Sequence, residues 1–206
     1  MQKRLLSVLA LLVGAAFMPA AVLPGRAADN PGCVSGTPSA PIKIEVFSDF
    51  QCPSCRAFYL GTMKQVFKEY GDTGKVCVIY REFPLQMHNH SRDAARYGHA
   101  ALRLGNRQWM AVSDALFQAQ DAWAQSGDVD SYAMKALAPA DSAALRKQLA
   151  DSTLNAAIES DVSLGMQRGV NATPTIFVTS KGKTEKIAAV VQYPIFKRYL
   201  DSLLGQ

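Results

Sequence analysis

The sequence predicts an α/β fold built as a βαβ unit, a helical insertion and a closing ββα unit. Three patterns predict it. β-Branched and aromatic residues cluster at Ile42 to Phe50 and Val76 to Tyr80, helical periodicity runs for about 75 residues from Ser91, and strand character returns at Thr175 to Val178. The 206 residues are 49% hydrophobic and 19% charged, which suits an ordinary core and excludes a disordered chain. Fourteen glycines and ten prolines follow no period, which excludes a collagen-like one.

The first element is a targeting segment. Gln2-Lys3-Arg4 is a basic start, Leu5 to Met18 is almost unbrokenly apolar, and Gly25-Arg26-Ala27 puts small residues around a cleavage site. Residues 1–27 therefore read as a cleavable signal peptide, with the mature protein in the periplasm or another extracytoplasmic space. Pro19 interrupts an apolar run that is already short for a membrane anchor. Removing Lys3, Arg4 and Arg26 takes three basic residues and no acidic one from a net charge of +5, leaving about +2. That balance gives no reason to expect a nucleic-acid partner.

Residues 28–206 are expected to form one domain, with a core at about 41–88 and 169–206 and a helical insertion at about 91–168. Residues 28–40, rich in Gly and Pro, read as a flexible lead. Ile42 to Phe50 is the first strand. Phe58, Leu60, Met63, Val66 and Phe67 then mark a helix from Ala57 to Tyr70, and the segment YGDTG ends it before the strand at Val76 to Tyr80. In the insertion, Ala94, Ala95, Ala101 and Leu102 form one helix face, and Arg92, Arg96, His99 and Arg103 read as its solvated opposite. Trp109, Val112 and Leu116 mark a second helix, and shorter ones precede a longer one from Ser152 to about Arg168. Thr175 to Val178 and Ile187 to Val191 are the last strands, with a hairpin turn at Lys181-Gly182-Lys183. A helix after Pro194 carries the apolar pairs Ile195/Phe196, Tyr199/Leu200 and Leu203/Leu204.

Chemistry concentrates where the first strand meets the first helix, in Cys52-Pro53-Ser54-Cys55. A helix start offers unpaired N–H groups and the positive end of the macrodipole, both of which favour a thiolate at Cys52. Cys55 lies one turn inside, and Pro53 suits a first helical position because it has no N–H to lose. Half of a zinc site is the rival, but no second CxxC or suitably spaced CxxH follows, so no metal is expected. A small structural disulfide across the motif is the other alternative. His88 and His90 form an HxH without a third nearby ligand and read as a solvated loop.

The segments FSDFQCPSC (Phe47 to Cys55), YREFPL (Tyr80 to Leu85) and GVNATPTIFV (Gly169 to Val178), with the helical insertion between them, resemble the DsbA-like thiol-disulfide oxidoreductases of the thioredoxin superfamily. The resemblance implies a thioredoxin fold with a helical insertion domain and catalytic Cys52 and Cys55. It also implies a cis peptide at Thr173-Pro174, beside which the Thr173 backbone pairs with substrate, and no cofactor. The implied activity is donation of disulfides to reduced, unfolded envelope proteins, with reoxidation by a membrane partner of the DsbB or VKOR kind. Within this fold Cys77 lies beside the strand that the leader enters, so a structural Cys33–Cys77 disulfide is expected. The alternative is a buried free Cys77 and a mobile Cys33.

Two departures from the family stand out. Ser54 replaces the His of the strongest oxidases, and Val46 stands where many relatives bury a carboxylate. Glu45 should face away from the motif, and Asp49 either caps the turn into the helix or serves the chemistry. The rival activity is a disulfide isomerase or reductase resembling DsbC or DsbG, which share Thr before the cis-proline. Those proteins add an N-terminal dimerisation region, for which about 14 residues between Ala27 and the first strand leave no room; a monomer is therefore expected. From another class, the fold could serve as a chaperone or bind copper through Cys52 and Cys55.

Overall fold

Alternation along one strand sets the architecture. In the computed structural model, which describes residues 32–206, strand β2 (Ile42–Ser48) buries Ile42, Ile44 and Val46 on one face and Phe47 on the other. The expected signal peptide and cleavage site lie outside the described residues. A strand buried on both faces belongs at the centre of a sheet. The five-stranded sheet has the order β1-β3-β2-β4-β5. Strand β3 (Val76–Glu82) runs parallel to β2, whereas β1 (Ser35–Gly36), β4 (Thr175–Ser180) and β5 (Lys183–Ile187) join antiparallel.

Helix α1, residues 53–71, opens on Pro53 and contains two π-helical stretches, Tyr59–Met63 and Phe67–Gly71. It buries Phe58, Tyr59, Met63, Val66 and Tyr70 on the face of β2 that carries Val46. Helices α2 (Ser91–Leu104), α3 (Asn106–Gln118), α4 (Gln120–Ser126), α5 (Val129–Lys135), α6 (Pro139–Leu149) and α7 (Thr153–Gln167) form the insertion, and α8 (Tyr193–Leu204) closes the chain. Aromatic rings join the insertion to α1 and the sheet. Phe117 of α3 lies 4.7 Å from Tyr59 and 4.9 Å from Phe50, and Trp109 lies 4.9 Å from Tyr80. A smaller cluster of Phe47, Phe83, Val170 and Phe177 covers the other side of the sheet.

Three expectations are corrected. The leader is not wholly flexible: Ser35 and Gly36 pair with Val78 and Cys77, and Val34 is fully buried. Its Gly and Pro content hid a strand too short to show a period. The basic stripe of α2 is not simply solvated, since Arg92 pairs with Glu159, His99 with Asp161 and Arg103 with Asp151, while Arg96 donates to the Leu149 carbonyl. Helices α6 and α7 come back across that face. The last strand begins at Lys183 rather than Ile187, because Lys181 and Gly182, with φ of 50° and 75°, make a two-residue turn. Most of β5 is exposed at the sheet edge, so charged residues replaced the apolar signal.

Candidate active site

The motif stands where β2 turns into α1. Cys52 is the N-cap and Pro53 opens the helix, which leaves the Ser54 and Cys55 N–H groups directed at the Cys52 sulfur. Both cysteines are unbonded in this structure, so the geometry is that of the dithiol. Cys52 is 7% exposed and Cys55 is 1% exposed. Cys52 is thus only slightly open, with the Thr173 carbonyl against its sulfur.

Burial and hydrogen bonding separate the two thiols. The Cys52 thiol is lowered to about 5, first by a hydrogen bond from Cys55, then by Thr173 and the Cys55 and Ser54 N–H groups, with burial opposing. Burial pushes the Cys55 thiol well above its usual range, and the neighbouring Cys52 thiolate adds to that effect. Ser48 hydrogen-bonds the Cys55 sulfur, and the Asp49 N–H donates to it at 3.4 Å. One sulfur is a stabilised thiolate and the other a sealed thiol.

Opposite the motif, the Thr173–Pro174 peptide is cis, and the Thr173 carbonyl lies 3.4 Å from Cys52 Sγ. Ser54 is exposed on the outer side of the helix start and Pro174 is buried. Cys33 and Cys77 are far from this chemistry in the fold, on β1's lead and on β3, and are joined by an S–S bond of 2.10 Å. Glu45 faces the other side of the sheet, where it pairs with Arg81 and Arg168.

Gln120 carried no sequence signal specific enough to name, and Asp49 and His88 carried none that paired them. Gln120 of α4, buried in the insertion, donates to the carbonyls of Phe50 at 2.6 Å and Cys52 at 3.0 Å. Asp49 accepts from the Gln51 N–H at 2.7 Å and the Leu85 N–H at 2.9 Å, and its Oδ2 lies 2.7 Å from His88 Nδ1. His88, read as part of a solvated loop, is thus tied to the turn that carries Cys52. Burial raises the Asp49 carboxyl even against these contacts. Among the described residues no cluster of His, Cys, Asp or Glu could hold a metal ion.

Comparison with known proteins follows the same lines. A family profile described as thioredoxin matches residues 29–200. The chain is 26% identical over 153 residues to disulfide bond formation protein D of Bacillus subtilis, covering 72% of this chain and 68% of that protein. It is 32% identical over 149 residues to Na(+)/H(+) antiporter NhaA 1 of Mycolicibacterium gilvum, covering 72% of this chain but spanning only 23% of the antiporter's length. Among solved structures, alpha-DsbA1 of Wolbachia pipientis superposes with a TM-score of 0.69 at 25% identity, over 83% of this chain and 89% of that one. With a CxxC capping the first helix of this sheet and a cis-proline facing it, the chain belongs to the thioredoxin family, as a DsbA-like thiol-disulfide oxidoreductase.

Proposed function

We propose that Cys52 and Cys55 are the redox pair and that the protein uses it to introduce disulfides into reduced, unfolded proteins outside the cytoplasm. The observation that carries this is the asymmetry of the pair: Cys52 at the helix start under Thr173, Cys55 sealed behind it. A substrate thiolate attacks Cys52 Sγ of the disulfide, the Cys52–Cys55 bond breaks, and its electron pair goes to Cys55, which takes a proton. A second substrate thiolate then attacks the substrate sulfur of the mixed disulfide, and Cys52 leaves as a thiolate. The substrate loses two electrons and the protein gains them. Stabilising the Cys52 thiolate lowers the energy of the reduced protein, so the disulfide is an oxidant. Ser54, which has no charge to add, makes it a milder one than a motif with His at that position.

The surroundings of this chemistry follow from the same reading. Thr173 offers backbone to an extended substrate beside Pro174. Residues 28–206 act as one domain, a core at about 41–88 and 169–206 around the insertion at about 91–168, working as a monomer. The basic start and apolar run of residues 1–27 support export. Turnover requires a membrane reoxidase of the DsbB or VKOR kind, which accepts the two electrons.

The test sets two assays side by side. The purified protein, preoxidised, should form disulfides in a reduced unfolded client faster than it reshuffles a scrambled one. Cys55→Ser should trap mixed disulfides through Cys52, and Cys52→Ser should be inert. Efficient reshuffling by a resting dithiol with little oxidation would replace the oxidase with an isomerase. Copper-dependent loss of both thiols without disulfide turnover would replace it with a binding protein.

A further inference from the structure

Asp49 touches both cysteines through its main chain. Its N–H donates to Cys55 Sγ at 3.4 Å, and its carbonyl accepts from the Cys52 N–H at 3.1 Å. When the disulfide opens, Cys55 is the leaving group, and the electron pair arrives on a sulfur that is 1% exposed. Water does not reach that charge, so donors already in place must meet it. The Asp49 N–H is one of them, beside the Ser48 hydroxyl.

A backbone N–H helps only where it is aimed, and the Asp49 side chain fixes the aim. Oδ1 accepts from the Gln51 N–H at 2.7 Å, which closes a tight turn just before Cys52. Oδ2 accepts from the Leu85 N–H at 2.9 Å and lies 2.7 Å from His88 Nδ1. The carboxyl thereby ties the end of β2 to the loop that follows β3. That loop is braced in turn, since Ser91 at the start of α2 donates to the Leu85 and His88 carbonyls and the His88 N–H returns to Leu85.

His88 completes the arrangement. The Asp49 side chain is fully buried, and burial works against its charge while His88 is among the contacts that favour it. A protonated carboxyl would turn a hydroxyl toward one of these donors and lose an acceptor there. His88 therefore keeps Asp49 in the form that holds the turn.

We propose that Asp49 and His88 are positioning residues for the first half of the exchange, which aim the Asp49 N–H at Cys55 and so make that sulfur a better leaving group. As substrate sulfur bonds to Cys52, the Cys52–Cys55 bond breaks and its electron pair goes to Cys55 against the Asp49 N–H. Cys55 then takes a proton from water, and the Asp49 N–H keeps its own. In the second half Cys52 leaves, and its sulfur is met by the Ser54 and Cys55 N–H groups instead. Loss of the aim should slow the first half alone. The inference rests on Cys52 and Cys55 as the redox pair, and the experiment separates the two ideas.

The first measurement is the rate at which dithiothreitol opens the Cys52–Cys55 disulfide. His88→Leu, at a side chain that is 18% exposed, should open about tenfold more slowly, the effect of weakening one hydrogen bond to a charge. His88→Asn, whose amide can donate to Asp49, should recover most of the rate. Asp49→Asn removes a negative charge, which by itself would ease charge onto Cys55, yet it too should open more slowly, because an amide offers one acceptor where the carboxylate offers two. The second measurement is the release by dithiothreitol of glutathione held on Cys52 of the Cys55→Ser protein, where Cys52 leaves and His88→Leu should change nothing. Unaltered opening in His88→Leu would overturn the proposal, as would opening and release slowed alike, the mark of a motif merely distorted. Faster opening in Asp49→Asn would also overturn it, by assigning the effect to charge. Failure of dithiothreitol to open Cys52–Cys55 in the unaltered protein would overturn the redox pair itself, and this inference with it.

Discussion

Cys52 and Cys55 stand three positions apart and titrate in opposite directions, because the helix gives only one of them its open end. Cys52 caps α1 and collects N–H donors, while Cys55 faces the aromatic interior and loses water instead. Alkylation of the reduced protein should therefore label Cys52 first, with a pH midpoint near the value of about 5, and Cys55 only after unfolding. The same shift makes stability depend on pH in a fixed direction. The folded thiol lies at about 5 against an ordinary 9.0, so the reduced protein's extra stability is fully present above 9.0 and is lost as pH falls through 5. The oxidised protein has no thiolate at Cys52 and serves as the reference. Its melting temperature, subtracted from that of the dithiol protein, should give a difference that shrinks steadily from neutral pH to pH 5. A difference that grows on acidification would contradict the stabilised thiolate.

At the scale of elements, α4 shows how the insertion serves the motif. Gln120, at the start of that helix, reaches out of the insertion to the carbonyls of Phe50 and Cys52 on either side of the turn. The Cys52 carbonyl keeps a second donor in the Arg56 N–H. Gln120→Leu keeps the volume but leaves the Phe50 carbonyl buried without that donor, and should cost about 1–3 kcal/mol in urea unfolding. No loss of midpoint would mean that the turn is held by its own backbone. Sequence patterns reached some of this architecture and not the rest, for physical reasons. The strand into Cys52 and the helix after it are written in local periodicity, and so are Trp109 and Leu116 as core. Contacts between distant segments leave no period behind them. Gln120 on Cys52, His88 on Asp49 and the Arg92 to Arg103 stripe on α6 and α7 could be read only once the chain was folded.

Over the whole molecule, the sheet must hold its motif rigid while ending at one edge in a strand of only two residues, β1. So short a strand cannot supply its own stability. The Cys33–Cys77 bond secures it, closing a loop with a sequence separation of 44 between the leader and β3, and Asn106 of α3 adds a hydrogen bond to the Cys33 carbonyl at 2.7 Å. Loop-closure entropy alone puts the stabilisation at about 4 kcal/mol. Exposure does not separate the two pairs, since Cys33 and Cys52 are both 7% exposed, but only Cys52 sits at a helix start that favours its thiolate. The two disulfides should therefore reduce in two waves, Cys52–Cys55 with mild thiol and Cys33–Cys77 only with strong thiol or denaturant. The variant carrying Cys33→Ala and Cys77→Ala should unfold at lower denaturant, by up to that 4 kcal/mol in stability. The loss should be smaller if Asn106 and the pairing of Ser35 and Gly36 hold the leader in place without the covalent bond. Below its melting temperature the variant should still exchange disulfides at Cys52–Cys55 at the unaltered rate, because no residue of the motif touches the bond that was removed. Lost exchange in a variant that is still folded would show that the edge strand transmits to the motif, and that the two disulfides do not have separate roles.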